Sequence, residues 1–157
     1  MPNKFKITVY GRPASQGSKK AFIVAGHARI RESNTERQEQ WYNAVASAAA
    51  NERTGEILIT GPLVLTMKFY FKRPKAHYRS GSKSDLLKDS APPHHIQKPD
   101  LGKIIRCTED ALSAVVWRDD AQVIVYRGCG KFWTEKQERG EITVSWDPVE
   151  LANYLSS

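Results

Sequence analysis

Residues Lys98 to Val125 read KPDLGKIIRCTEDALSAVVWRDDAQVIV, and this stretch restricts the fold more than any other in the chain. Leu101, Ile104, Ile105, Thr108, Leu112 and Val115 recur at steps of three and four residues, which predicts a helix with one buried stripe. Asp100 stands where an N-cap belongs, its carboxylate available to backbone amides that lack a helical partner. Trp117-Arg118-Asp119-Asp120 then predicts a turn, and the β-branched run Gln122–Tyr126 a strand. A helix that must bury one face, followed at once by a strand, demands a sheet to pack on.

Acids at both ends of this unit suggest chemistry as well as structure. Carboxylates are hard oxygen ligands, suited to magnesium, which takes one or two from protein and keeps water or phosphate for the rest. A magnesium ion beside a phosphodiester polarises it and activates water. The structural alternatives are plain. Asp100 is also explained as an N-cap, and Asp119-Asp120 as a turn pair. Adjacent acids point apart, so one of the two binds metal and the other supports it. Reach is tight. Fourteen helical residues separate their ends by about 21 Å, and the six residues from Val115 to Asp120 return about 20 Å when extended. Either the chain doubles back sharply or the second acid comes from a partner subunit.

The rest of the chain supplies the sheet. Phe5, Ile7 and Val9 alternate with polar neighbours in a first strand. Gly11–Lys20 is a loop ending in Lys19 and Lys20, of the kind that contacts phosphate, although the spacing of a P-loop is absent. Ala21–Val24 and Ala28–Arg31 form a hairpin around Ala25-Gly26-His27. Ser33 with Glu36 is a capping box for a helix to about Asn51 that buries Trp41, Tyr42, Val45 and Ala49. Leu63, Leu65, Met67, Phe69 and Phe71 face one side of the clearest strand. Residues 73–97 lose all periodicity and carry many cations, which predicts a flexible basic arm that orders on DNA. His94 and His95 are neighbours in sequence and do not make a zinc site. Lys131–Arg139 reads as a polar connection, Ile142, Val144 and Trp146 as a last strand, and Asp147, Pro148 and Glu150 as N-cap, N1 and N3 of a terminal helix. The predicted order is β-β-β-α-β-α-β-β-α, an α+β single domain over residues 1–157 with a mixed β-sheet.

The central residues resemble the RusA-type Holliday junction resolvases of phages and prophages. The core of that family reads roughly [KR]-P-D-x-D-[NK], then a helix with D-A-L, then D-D-A-Q-V. Lys98-Pro99-Asp100, Asp110-Ala111-Leu112 and Asp119-Asp120-Ala121-Gln122-Val123 match in order and spacing. The resemblance implies a homodimeric, magnesium-dependent endonuclease, with manganese as a possible substitute, that cuts branched DNA during recombination and repair. It implies metal ligation by Asp100 and Asp120 with Asp119 in support, and help with phosphate charge from Arg106 and Lys103. Backbone binding would fall to Lys19, Lys20, Lys72, Arg73 and Lys98. The chain departs from the pattern at Gly102, where the family has its second acid. Glycine in a first helical turn is locally unfavourable by up to about 1 kcal/mol, whereas aspartate would suit the helix dipole. A ligand position is thus vacated, and impaired cleavage is the expectation. Asp110, four residues beyond Arg106, reads as its ion-pair partner.

Composition agrees with an acidic partner. The 157 residues carry a net charge of +7, which favours nucleic acid. No apolar run reaches membrane-span length and no signal-peptide core opens the chain, so no membrane and a cytoplasmic setting are expected, which the resemblance places in a bacterial host cell. Cys107 and Cys129 are too few for a disulfide framework, and no small-molecule substrate is indicated. Two other readings stay open. One is a non-catalytic junction-binding protein; the other is a single-strand-DNA-binding module that stacks bases on Trp41, Trp117, Trp133 or Tyr126.

Overall fold

The computed structural model describes residues 3–17, 19–32 and 35–156. Its centre is β4 (Leu63–Lys72), whose Leu63, Leu65, Met67, Phe69 and Phe71 are all buried, as the alternation predicts. β7 (Arg139–Ser145) pairs antiparallel along one side of β4, and β1 (Lys4–Tyr10) pairs antiparallel beyond it. On the other side β5 (Val123–Tyr126) and β6 (Gly130–Thr134) follow one another, both parallel to β4. The sheet is mixed, as expected. A separate hairpin joins β2 (Lys19–Val24) and β3 (His27–Glu32). Its turn places Ala25 at φ 51° and Gly26 at φ 78°, the double positive-φ conformation of a two-residue hairpin loop.

α1 and α2 cover one face of the sheet. α1 (Thr35–Glu52) buries Trp41, Val45 and Ala49, and α2 (Leu101–Leu112) buries Ile104, Cys107, Thr108, Ala111 and Leu112. The Trp41 indole N–H donates to Thr108 Oγ1 at 2.9 Å, and the Thr108 hydroxyl donates to the Ile104 carbonyl at 2.8 Å, so a buried polar pair fixes how the helices meet. Trp41 also meets Phe69 edge-on and lies against Gly140, where any Cβ would come within 2.8 Å of the ring. α3 (Pro148–Leu155) starts as predicted, with Asp147 accepting from the Val149 N–H at 2.9 Å.

Four expectations need correcting. Tyr42 is on the exposed side of α1, because the buried stripe runs through Trp41, Val45 and Ala49. The segment read as a polar connection contains β6, whose lysine and aromatics disguise a short strand with no period-two contrast. α2 stops at Leu112, short of Val115, where Ala114 at φ 64° turns the chain. Residues 73–97 hold no long element, but they are not an arm without structure. Arg79 N–H donates to Leu86 O, Lys88 N–H to His77 O, and Tyr78 bridges Leu87. His95 is buried, stacked on Trp133 with 4.2 Å between ring centroids, and Arg73 lies over the same indole while donating to Pro92 O. The predicted Ser33 capping box lies outside the described residues. Cys107 is buried and Cys129 half-buried, and both are free thiols. Burial pushes the Cys107 thiol up to about 11. Among the described residues no helix is long and apolar enough to cross a membrane.

Candidate active site

The turn after α2 answers the question of reach. Asp119 and Asp120 enter a short 3-10 turn, Asp120–Gln122, that Asp119 caps. The Asp119 carboxylate accepts from the Ala121 N–H at 2.8 Å, so it is committed to the backbone. Gln122 completes the fastening. Its amide donates to the carbonyls of Ile59 and Gly61, and its oxygen accepts from the N–H groups of Arg118 and Asp119. Four bonds from one side chain pin the turn to the entry of β4. Asp120 is left facing the helix, with one oxygen held by the buried Trp117 indole N–H at 2.9 Å. Adjacent in sequence, the two acids divide the work.

Asp120 meets the C-terminal half of α2, and this was not anticipated. Gly102, Ile105, Arg106, Glu109, Asp110, Asp120 and Tyr126 line one open cleft. Glu109 accepts from the Tyr126 hydroxyl, and Asp110 from the Gln16 amide. Burial, then the nearby Asp120 and Asp110 charges, push the Glu109 carboxyl above its usual range, against the pull of Tyr126 and Arg106. Burial and Asp120 raise Asp110 in the same direction. Crowded carboxylates of this kind mark functional sites more often than chance. Arg106 shares the cleft and its charge pulls Asp110 down, but among the described residues no close ion pair joins them, and Asp110 takes its hydrogen bond from Gln16 in the N-terminal loop.

Asp100 lies elsewhere. It occupies the N-cap position of α2 with extended backbone, and its carbonyl accepts from the Ile104 N–H, but its side chain makes no capping bond. The carboxylate instead sits 3.6 Å from Lys103 and lines a second cavity with Arg12, Ser15, Gln16, Gly17, Arg37 and Lys98. The structure therefore does not gather Asp100 and Asp120 into one pocket. Gly102 joins Asp120, and a Cβ at 102 would meet nothing within 4 Å. Lys131 was missed by the sequence reading. Its ammonium donates to the carbonyls of Gln97 and Pro99 beneath Asp100, and burial lowers its pKa while Asp100 raises it. Burial in β6 hid it, and nothing local in the sequence singled it out.

The other predicted contacts separate into three groups. Lys98 and Lys103 line the second cavity. Lys72 is exposed at the end of β4, and Arg73 is held against Trp133. The side chains of Lys19 and Lys20 lie outside the described residues. Trp41 and Trp117 are buried at 1% and 0% exposure and so offer no stacking face, while the Trp133 ring is packed against His95 and Arg73.

Residues 11–145 match the family described as Endodeoxyribonuclease RusA. A relative from Bacillus subtilis (strain 168), named Uncharacterized protein YqaN, is 28% identical over 136 residues, which cover 83% of this chain and 89% of the relative. The family match takes in β2 to β7, both long helices and the acid cleft, and the chain belongs to the RusA endodeoxyribonuclease family.

Proposed function

We propose that this chain is a magnesium-dependent, structure-specific endodeoxyribonuclease that resolves four-way DNA junctions as a homodimer, and that Gly102 leaves its cleavage impaired. One observation carries the reading. The cleft that holds Asp120, Asp110 and Glu109 also holds Gly102, at a place where a side chain has open space.

The donors in the cleft suit a hard cation, being carboxylate oxygens, and burial with mutual repulsion raises Glu109 and Asp110. Among the described residues no three acidic, histidine or cysteine side chains converge closely enough to hold a metal ion. Asp120 and Asp110 would hold the ion, while Asp100 lines the neighbouring cavity. Magnesium or manganese bound there supplies Lewis acidity toward a phosphoryl oxygen and an activated water. Trp117 orients Asp120, Gln16 orients Asp110, and Arg106 neutralises charge that develops on the phosphate.

The non-catalytic junction-binding reading has its own support, since Glu109 and Asp110 are both satisfied by neutral partners within the protein. Cleavage separates the two. A labelled four-way junction is incubated with saturating magnesium or manganese and either the parent or Gly102→Asp. The aspartate form is expected to cut and the parent to cut far more slowly. Equal rates would remove the vacated-ligand argument, and binding without cleavage by either protein would leave the non-catalytic reading.

A further inference from the structure

The second cavity has a task of its own. It is enclosed by the Arg12–Gly17 loop, the start of α1 and the start of α2, and holds about 140 Å³. That is room for several waters, enough for a phosphate group with part of its hydration. Arg12, Arg37, Lys98 and Lys103 line it, and Asp100 is the one acid among the described lining residues. The four cations come from three separate parts of the chain, so the concentration of positive charge is a product of the fold.

The walls are also fixed in advance. Gly11 N–H donates to Glu138 O at 3.0 Å, and the Arg12 guanidinium pairs with the Glu138 carboxylate at 3.2 Å. Gln16 N–H donates to Lys103 O at 3.3 Å, and Gly17 N–H to Gln38 Oε1 at 3.1 Å. The loop is therefore tied to the residue before β7, to α2 and to α1 in turn. Gln16 belongs to both sites, lining this cavity while its side chain holds Asp110 in the cleft. Gly102 and Lys103, consecutive on α2, face one site each.

We infer that this cavity is a backbone-phosphate seat, which holds one uncut phosphodiester of a DNA strand and so presents a neighbouring one to the Glu109–Asp110–Asp120 cleft. The inference rests on the nuclease reading for its purpose, but the seat itself recognises phosphate and no base. A pre-tied loop means that little ordering entropy is lost on binding. Arg37 is the cleanest probe, because Arg12 also braces the loop through Glu138.

Junction binding by the parent, Arg37→Ala and Arg37→Gln is measured against salt concentration, with Lys6→Ala, an exposed cation on β1, as control. Each phosphate contact contributes about 0.9 to the slope of log K against log salt. Both Arg37 variants are expected to bind several-fold more weakly and to lose about one unit of slope, while Lys6→Ala keeps both. Parental affinity and slope in Arg37→Ala would overturn the seat and leave the nuclease reading intact, as would a loss no larger than that of Lys6→Ala. A second measurement needs no DNA. Inorganic pyrophosphate is expected to raise the Tm of the parent more than that of Arg37→Ala, and equal shifts would overturn the seat. If the parent binds no junction while the Arg37-dependent shift persists, the seat stands and the junction reading falls.

Discussion

Trp117→Phe isolates the contact that aims Asp120. Trp117 is fully buried, and its indole N–H is 2.9 Å from Asp120 Oδ1. Phenylalanine keeps an aromatic ring in the core but has no donor. A hydrogen bond to a charged group contributes about 1.5–3 kcal/mol. Asp120 is only half-buried, so water can take over part of the role, and the lower end applies. The smaller ring also leaves a small cavity, adding about 1 kcal/mol. The expected loss is therefore about 2–3 kcal/mol in urea unfolding at neutral pH. A double-mutant cycle with Asp120→Ala separates the two parts. Asp120→Ala alone also relieves repulsion on Glu109 and Asp110, so its single cost is small, but the coupling to Trp117 is expected at about 1–2 kcal/mol. In the Gly102→Asp background, Trp117→Phe is further expected to raise the magnesium concentration for half-maximal cleavage. Coupling below about 0.3 kcal/mol, the limit of additivity for independent sites, would refute the claim that the indole orients the carboxylate.

Glu109→Gln tests the electrostatics of the cleft. The folded-state pKa of Glu109 is raised, first by burial and then by Asp120 and Asp110. Its contribution to stability is thus fully present below the unfolded pKa and declines as pH rises through the folded one. Relative to the parent, Glu109→Gln should gain stability as pH rises above about 4, and magnesium at neutral pH should raise the Tm of the parent more than that of the variant. A stability difference that shrinks with rising pH would contradict this reading. Gly140→Ala places a Cβ against the Trp41 ring, at a strand position paired with Phe69. The expected cost is about 1–3 kcal/mol from overpacking, read as a lower urea midpoint. An unchanged midpoint would mean that Trp41 shifts freely.

The amino-acid sequence by itself determined most of the architecture. The alternation in β4, the three- and four-residue spacing in α2 and the Asp147-Pro148 start of α3 are local patterns, and each was legible because burial of one face imposes its period on the residues. β6 escaped because a short strand pairing with a central neighbour shows no polar side, and Tyr42 was misplaced because it sits at the edge of a stripe set by Trp41 and Val45. The motif residues of the site were legible too, but their partnerships were not. Asp119 and Asp120 are equivalent as letters, and the Gln122 bonds to Ile59 and Gly61 decide that one caps a turn while the other faces the cleft. The early stop of α2 at Leu112, followed by the turn at Ala114, set Asp120 beside Glu109 and Asp110 rather than beside Asp100. Gln16 joins the two cavities, and Arg37 reaches the second of them, from parts of the chain distant in sequence. Local sequence encodes which face of each element is buried, because that depends on neighbours three or four residues away. Which charges share a cleft depends on where separate elements come to rest, and only the packed structure fixes that.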